Sequence, residues 1–205
     1  MTRRKDHPFF SIIMPSHNGA GRIRKAIESV TSQAFADYEL IVVCDACTDN
    51  TADIARFYGA TVLTVDAHRD GLARNAGLDA ATGDWILFLD DDDWLLHEFV
   101  LRQLREALNG RSTDVLNFSF IWKGVGYHRQ TLEDTYTGAC GHLWRREFIG
   151  DTRFPDLPYG SDSLFHQAMM WKHPAVCYWD MPMYYYNYMR QGSLSWKKQR
   201  GEAMT

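Results

Sequence analysis

The sequence predicts an α/β fold in which a mostly parallel central sheet is flanked by helices and followed by a smaller second half. Two observations predict it. Short apolar runs of strand length alternate with helical patterns from about residue 8 to about residue 110, as is typical of β-α-β crossovers in a parallel sheet. With 205 residues, 45% of them hydrophobic, the chain is long enough for one domain with a substantial core.

Apolar runs provide the strands of the first half, and helical patterns separate them. The strands are predicted at residues 9–14, 38–43, 60–65 and 85–89. The helices are predicted at residues 18–33, from Thr48 or Asp49 to Tyr58, at 71–81 and at 97–108. The first helix has an apolar stripe at the spacings i, i+3, i+4 and i+7, formed by Ile23, Ala26, Ile27 and Val30. Gly59 and Gly83 are placed to end the second and third helices.

The second half, about residues 111–205, has a looser pattern. A strand is predicted at residues 115–122, a helix at 161–171, and short strand-like runs between 175 and 188. Segments rich in glycine and aromatic residues lie between them, with no linker or repeat. The simplest organisation is therefore one domain that spans residues 1–205.

Composition argues against several classes of protein. A formal net charge of −4 gives no electrostatic case for a nucleic-acid partner. No apolar run approaches the roughly 20 residues that span a bilayer, and the basic amino terminus does not lead into a signal-peptide core. We therefore expect a soluble, cytoplasmic protein. Cys44 and Cys47 form a C-x-x-C spacing, but Cys44 ends a predicted strand and no second cysteine pair completes a metal cage, which favours reduced thiols.

The strongest chemical signal is a run of aspartates from Asp90 to Asp93, directly after the predicted strand 85–89. Two unit charges ~4 Å apart repel by roughly 4 kcal/mol at an effective dielectric near 20, so the run needs solvent, cations or protonation. One interpretation is an acidic turn in which Asp93 caps the next helix. The other is a Mg²⁺ or Mn²⁺ site, because the ligand crevice of such sheets lies beyond the carboxyl ends of the strands, and both ions prefer oxygen ligands.

Polar residues also follow two other predicted strands. Asp45 follows the strand at 38–43 and is either a turn residue or a group that recognises a nucleobase N–H or a ribose hydroxyl. The segment 15–18 follows the first strand, and its His17 either stacks on a base or fills the turn. Because these polar groups follow successive strands, together they predict a nucleotide pocket.

Four collinear segments between about Phe9 and Ser195 resemble family 2 glycosyltransferases, which have the GT-A fold, a Rossmann-like α/β fold. "SIIMPSHNGAGRIRKAIESVTSQAFADYELIVVCDACTDNT" resembles their opening, a strand, P-[ST]-[YH]-N, a helix and V-V-D-D-G-S-x-D-x-T. "GLARNAGLDAATGDWILFLDDDDWL" resembles their G-x-x-x-A-R-N-x-G helix and L-D-x-D-D strand end. "GHLWRREFIGDTRFPDLPYGSDSLFHQAM" is similar to their acceptor-side block, and "PMYYYNYMRQGSLS" to the ending of many capsule and lipopolysaccharide transferases.

The resemblance implies that the first half, about residues 8–110, binds a nucleotide sugar, with UDP the expected nucleotide. The donor-binding residues it implies are Pro15, His17, Asn18, Asp45, Arg74, Asp90 and Asp91. Asp45 would bind the base edge and Asp91 would lie near the ribose. Either Arg74 or Asn75 would approach the donor, or Asn75 would only fix the local backbone. Asp90 and Asp92 fill the D-x-D positions that hold Mg²⁺ or Mn²⁺, with Asp92 the direct ligand.

The second half would face the acceptor, a glycan or a lipid-linked glycan, which is compatible with a peripheral position at the inner membrane face. Asp162 occupies the position of the catalytic base of an inverting single displacement, although an aspartate after Gly160 and Ser161 is also a good helix cap. The run Tyr184 to Tyr186 suits the core and rim better than a sugar-stacking platform. His128 and Arg129 lie in a predicted loop within reach of the acceptor.

The chain departs from the family pattern at four positions. Cys44 replaces the first aspartate of the usual pair, Ala46 and Cys47 replace Gly-Ser, and Ser161 replaces the glutamate before the base. These departures bear on the donor more than on the fold. Two alternatives remain: a non-catalytic nucleotide-sugar-binding domain, and a sugar-phosphate nucleotidyltransferase. The loop with Gly19, Gly21 and Arg22 only partly matches the G-x-G-x-R pattern of the latter.

Overall fold

The computed structural model describes residues 7–131, 137–188, 190–191 and 193–201. These residues form one mixed sheet with helices around it. The strands are β1 (Phe10–Ser16), β2 (Tyr38–Asp45), β3 (Thr61–Val65), β4 (Trp85–Phe88), β5 (Trp94–Leu95), β6 (Val115–Trp122), β7 (Gly126–His128), β8 (His142–Arg145) and β9 (Val176–Tyr186). The helices are α1 (Ile23–Thr31), α2 (Thr51–Phe57), α3 (Asp70–Ala80), α4 (Val100–Ala107), α5 (Arg146–Ile149), α6 (Ser161–Met170) and α7 (Leu194–Gln199).

The sheet has the order β3-β2-β1-β4-β8-β6-β9-β5, and β7 pairs with β6. β3, β2, β1 and β4 run parallel to one another, as the alternation of strands and helices predicts. Every residue of β1 is buried, because this strand lies between β2 and β4 and packs against α3. The α/β fold class is therefore confirmed, and its parallel part places the carboxyl ends of β1, β2 and β4 at one edge.

The second half makes the sheet mixed. β8, which the sequence pattern did not reveal, pairs antiparallel with both β4 and β6 and buries Trp144. A strand of only four residues that begins with histidine and ends with arginine carries little signal. The short runs predicted between 175 and 188 form the single strand β9. Its Pro182 lies at a register shift opposite Ser119, where a residue without an N–H group is tolerated.

The loop before α1 differs from the predicted helix at 18–33. The apolar stripe is buried as expected, but α1 begins at Ile23. Asn18 has a φ of 47°, which interrupts a right-handed helix. The guanidinium of Arg22 then donates hydrogen bonds to the carbonyl oxygens of Asn18 at 2.8 Å and His17 at 2.9 Å. This segment is a folded loop at the carboxyl end of β1.

Both halves contribute to a single hydrophobic cluster, which contains residues from Phe9 to Tyr184. In the described part of the chain, we find no helix with the length and apolar character needed to cross a bilayer.

Gly83 has a structural role beyond the helix stop that the sequence suggests. A β-carbon at this position would lie 2.7 Å from the backbone carbon of Phe10 and the backbone nitrogen of Ser11. We predict that Gly83→Ala lowers the free energy of unfolding by about 1–3 kcal/mol, the usual cost of overpacking. Urea unfolding would measure it. Gly21→Ala is the matched control, because nothing lies within 4 Å of the added carbon. Equal stability of the two variants would contradict the prediction.

Candidate active site

A cavity of about 630 Å³ opens at the carboxyl ends of β1, β2 and β4. All the predicted site residues line it except Asn18, namely Pro15, His17, Asp45, Arg74, Asp90, Asp91, Asp92 and Asp162. They come together because Ser16 of β1 pairs with Cys44 of β2, next to Asp45, and the acidic run follows β4. Asn18 lies beside the cavity, where its side-chain oxygen accepts the Thr48 backbone N–H at 2.8 Å.

The first two aspartates of the acidic run are neutralised by buried or half-buried arginines. Asp90 accepts a hydrogen bond from Arg74 at 2.7 Å, and Arg74 also contacts Asp70 at 2.6 Å. Burial works to lower the pKa of Arg74, but Asp90 and Asp70 hold it well above its usual value. Asp91 accepts hydrogen bonds from Arg22 at 2.7 Å and from the Ser16 hydroxyl at 2.5 Å. Burial nevertheless raises the pKa of Asp91.

The last two aspartates have different environments. Asp92 is paired with Arg190 at 2.5 Å, and burial, followed by the charge of Asp90, raises its pKa. Asp93 accepts hydrogen bonds from the Tyr184 hydroxyl at 2.5 Å and the Asn187 backbone N–H at 2.7 Å. It does not cap a helix, because α4 begins at Val100; that interpretation of Asp93 is wrong. Asp93 instead ties the acidic turn to β9.

Asp45 is buried, and its carboxylate organises a loop. Its oxygens accept the backbone N–H groups of Ala67 at 2.7 Å, His68 at 2.9 Å and Arg69 at 2.8 Å. A carboxylate has about four acceptor positions, so roughly one remains for a ligand. The bonded segment connects β3 to α3. Asp45 therefore shapes the cavity wall in addition to any contact with a base.

Two histidines stand at this end of the cavity. The Nδ1 atom of His17 lies 2.7 Å from the Asp45 carbonyl oxygen. The ring centroids of His17 and His68 are 6.1 Å apart. Both side chains line the cavity and are exposed. His68 was missed by sequence reasoning, because it lies in a loop with no pattern, and Asp45 brings it into the site.

Asp162 lies in the first turn of α6 and lines the cavity. Gly160 is the residue at the helix cap, with a φ of 79°, so Asp162 is not the cap residue. Its carboxylate accepts the Ser163 backbone N–H at 2.9 Å. Burial raises the pKa of Asp162 against the opposing effect of Arg74, and the charges of Asp70 and Asp90 raise it further. A carboxylate with a raised pKa is a stronger base.

The serine that precedes Asp162 is confined by its packing. Ser161 is fully buried against α3, and a β-carbon added to Gly71 would lie 2.8 Å from the Ser161 hydroxyl oxygen. Ser161 is therefore packed closely against α3.

Two groups of acidic residues could hold a metal ion, and they differ in the ligands that they offer. Ligand atoms of Asp90, Asp93 and Cys140 lie within 4.8 Å of one another. However, burial raises the pKa of Cys140 well above its usual value, and Asp93 is already held by Tyr184 and Asn187. Mg²⁺ and Mn²⁺ prefer oxygen ligands. The pair Asp90 and Asp92 lines the cavity and offers only oxygen ligands, and in the structure each carboxylate accepts a hydrogen bond from an arginine.

The cysteines of the C-x-x-C spacing do not line the cavity among the residues described. Both thiols are free, and burial raises the pKa of Cys44 to about 12. A thiol with so high a pKa is a weak nucleophile.

Sequence reasoning missed the roles of Arg22, Arg190 and Trp122, and it assigned the tyrosines of β9 to the core and rim rather than to the cavity. Arg22, Arg190 and the aromatic side chains of β6 and β9 line it. Arg190 lies within the ending quoted above, four residues after β9, and its pairing with Asp92 depends on a contact between distant parts of the chain. Only the fold brings these groups together.

Comparisons with known proteins agree with this geometry. The family described as "Glycosyl transferase family 2" matches residues 11–175. The glycosyltransferase GlyA of Streptococcus pneumoniae is 24% identical over 217 residues, which cover 90% of this chain and 31% of GlyA. Among solved structures, Staphylococcus aureus TarS in complex with UDP-GlcNAc has a TM-score of 0.80 at 24% identity, covering 90% of this chain and 59% of that one.

A second solved structure contains a metal ion. It is the mannosyltransferase PcManGT of Pyrobaculum calidifontis in complex with GDP-Man and Mn²⁺, with a TM-score of 0.74 at 18% identity. The match covers 96% of this chain and 61% of that one. These likenesses establish the GT-A fold. The chain spans less than two thirds of the length of each of these relatives.

Proposed function

The chain belongs to glycosyl transferase family 2, and from this premise we propose that it transfers a sugar from a nucleoside diphosphate donor to a hydroxyl group of a glycan or lipid-linked acceptor. One observation carries the proposal. Asp162, with its raised pKa, lines the same cavity as Asp90 and Asp92, at the edge where β1, β2 and β4 end.

The donor would occupy the side of the cavity formed by the first half. The remaining acceptor position of Asp45 suits the N–H of a uracil ring, and the His17 and His68 rings suit its faces. UDP is therefore the nucleotide that this chemistry favours, and TarS was solved with a UDP-sugar. Arg22 lies close enough to the acidic turn to attract the phosphates.

Asp92 and Asp90 would hold Mg²⁺ or Mn²⁺, which, when bound, neutralises charge on the departing diphosphate. Two features support this assignment. The carboxylates line the cavity, and the charge of Asp90 raises the pKa of Asp92, which indicates that the two are close. Arg190 must first leave Asp92, and it is then available to the diphosphate.

Asp162 acts as the general base of a single displacement with inversion. The acceptor oxygen forms a bond to the anomeric carbon while the bond from that carbon to the diphosphate oxygen breaks. The hydroxyl proton passes to the Asp162 carboxylate, and the bonding electron pair leaves with the diphosphate.

A panel of nucleotide sugars tests the proposal. Thermal stability and nucleoside diphosphate release would be measured with UDP-, GDP- and TDP-sugars, each with Mn²⁺, with Mg²⁺ and with a chelator. We expect one UDP-sugar with metal to stabilise the protein by about 2.7 kcal/mol at a hundredfold its Kd. If no nucleotide sugar binds with either ion, the proposal is wrong.

A further inference from the structure

Four aromatic side chains form one wall of the cavity beyond the acidic turn. This aromatic wall consists of Trp122, His128, Tyr186 and Tyr188, all of which line the cavity and are half-buried. The ring centroids of Trp122 and Tyr188 are 4.9 Å apart, those of Trp122 and His128 5.6 Å, and those of Trp122 and Tyr186 5.7 Å. The wall is therefore continuous.

The sheet register builds this wall. Trp122 and Tyr186 are partners in the parallel pair of β6 and β9. The hairpin of β6 and β7 places His128 beside Phe120, with ring centroids 4.6 Å apart. Three separate segments thus present aromatic rings to one space.

The three consecutive tyrosines of β9 have different roles. Tyr184 is 1% exposed and donates its hydroxyl to Asp93, so it belongs to the core. Tyr185 points to the other face, where it stacks on Trp94 with ring centroids 4.0 Å apart. Tyr186 returns to the first face and lines the cavity. Of the three, Tyr186 is the one that lines the cavity.

The wall adjoins the proposed reaction centre. Burial raises the pKa of the Tyr186 hydroxyl, and the charges of Asp90, Asp93 and Asp162 raise it further. Those carboxylates therefore lie within electrostatic range of Tyr186. The wall lines the same cavity as the proposed base and the proposed metal ligands.

We propose that the aromatic wall is a sugar-binding subsite, and that the acceptor presents a pyranose ring that packs against Trp122 and Tyr188. This inference rests on the proposed function, since it names the acceptor of the same site. A pyranose has an apolar face of C–H groups and a polar rim of hydroxyls. Aromatic faces bind the first, while Asp162, Lys197 and Asn187, which line the same cavity, can bind the second.

The test measures binding of methyl pyranosides by saturation-transfer NMR, in the presence of UDP and Mn²⁺. The panel contains glucose, galactose, mannose, N-acetylglucosamine and rhamnose derivatives. At least one should bind, with the strongest transfer to protons of a single ring face. Trp122→Ala should weaken this binding by about two- to thirteenfold, since an aromatic contact contributes roughly 0.5–1.5 kcal/mol. Tyr188→Ala, which changes a residue outside the strands, should also weaken pyranoside binding.

Trp171→Ala is the matched control, because Trp171 is 74% exposed at the end of α6 and does not line the cavity. UDP affinity is measured for every variant and separates the two proposals. If the wild-type protein binds neither UDP nor any other nucleoside diphosphate, the proposed function fails. If UDP binds, the subsite is overturned when no pyranoside binds, when a short-chain prenyl alcohol binds instead, or when Trp122→Ala and Tyr188→Ala retain pyranoside binding equal to that of Trp171→Ala.

Discussion

Asp162→Asn is expected to reduce the rate of sugar transfer by about 10²–10⁴-fold, the range that general base catalysis supplies. The amide cannot accept the acceptor proton, but it keeps the size of the carboxyl group. Donor binding should therefore remain close to that of the wild-type protein. Asp79→Asn is the matched control, because Asp79 is exposed, pairs with Arg153 and does not line the cavity.

The pH dependence gives the Asp162 prediction a second readout. Asp162 must be ionised to act as a base, and its pKa is raised, chiefly by burial. The transfer rate should therefore begin to fall at a pH above the usual titration range of an aspartate, as the pH is lowered. In Asp162→Asn, the residual rate should lose this acidic limb.

Stability distinguishes loss of a base from loss of a fold. A carboxyl group whose pKa is raised by folding binds protons more readily in the folded state than in the unfolded state. Its ionised form therefore destabilises the protein at pH values above both pKa values. Asp162→Asn removes that charge, so its melting temperature at neutral pH should equal or exceed that of the wild type. An inactive variant that also melts much earlier would contradict the base assignment, as would unchanged activity.

The parallel half of the fold could be predicted from sequence because its signals are local. The apolar stripe of α1 and the runs that became β1, β2 and β4 each depend on a few neighbouring residues. β8 could not be predicted, because its four residues acquire their strand conformation from β4 and β6 on either side. β8 is buried because of these tertiary contacts and not because of a local sequence pattern.

The candidate site divides in the same way. Asp45, Asp92 and Asp162 could be found because each lies near a predicted strand end or helix start in a known pattern. Their partners could not. Arg190 is 98 residues away from Asp92 in the chain, and no periodicity connects them. The engagement of Asp45 with three backbone N–H groups likewise depends on a loop conformation that no local pattern specifies.

Asp92→Asn is expected to abolish tight Mn²⁺ binding in the presence of UDP and to lower the transfer rate by about 10²–10³-fold, comparable to removal of one electrostatic stabiliser in other enzymes. The physical reason is the loss of the anionic ligand that lines the cavity beside Asp90. Electron paramagnetic resonance of free Mn²⁺, with and without UDP, measures the binding directly. Removal of the metal with a chelator should also lower the transfer rate of the wild-type protein.

Asp93→Asn is the matched comparison, since it changes the adjacent carboxylate to the same amide. Asp93 is buried, and its pKa lies well above the usual range because of burial and the charges of Asp90 and Asp92. The amide oxygen can still accept the Asn187 backbone N–H, and the amide NH₂ group can donate to the Tyr184 hydroxyl oxygen, so Mn²⁺ affinity should be nearly unchanged. If Asp93→Asn loses the metal while Asp92→Asn keeps it, the ion belongs to the set of Asp90, Asp93 and Cys140 instead.

Arg190 allows the assignment of Asp92 to be tested without altering a carboxylate. In the structure, its guanidinium donates a hydrogen bond of 2.5 Å to the Asp92 carboxylate, which is the group that would bind the ion. Mn²⁺ and Arg190 therefore compete for one group, and Arg190→Gln should bind Mn²⁺ more tightly than the wild type when UDP is absent. With UDP present, the advantage should shrink or reverse, because wild-type Arg190 can then pair with the diphosphate. Equal Mn²⁺ affinity of the two proteins without UDP would show that Asp92 does not contact the metal.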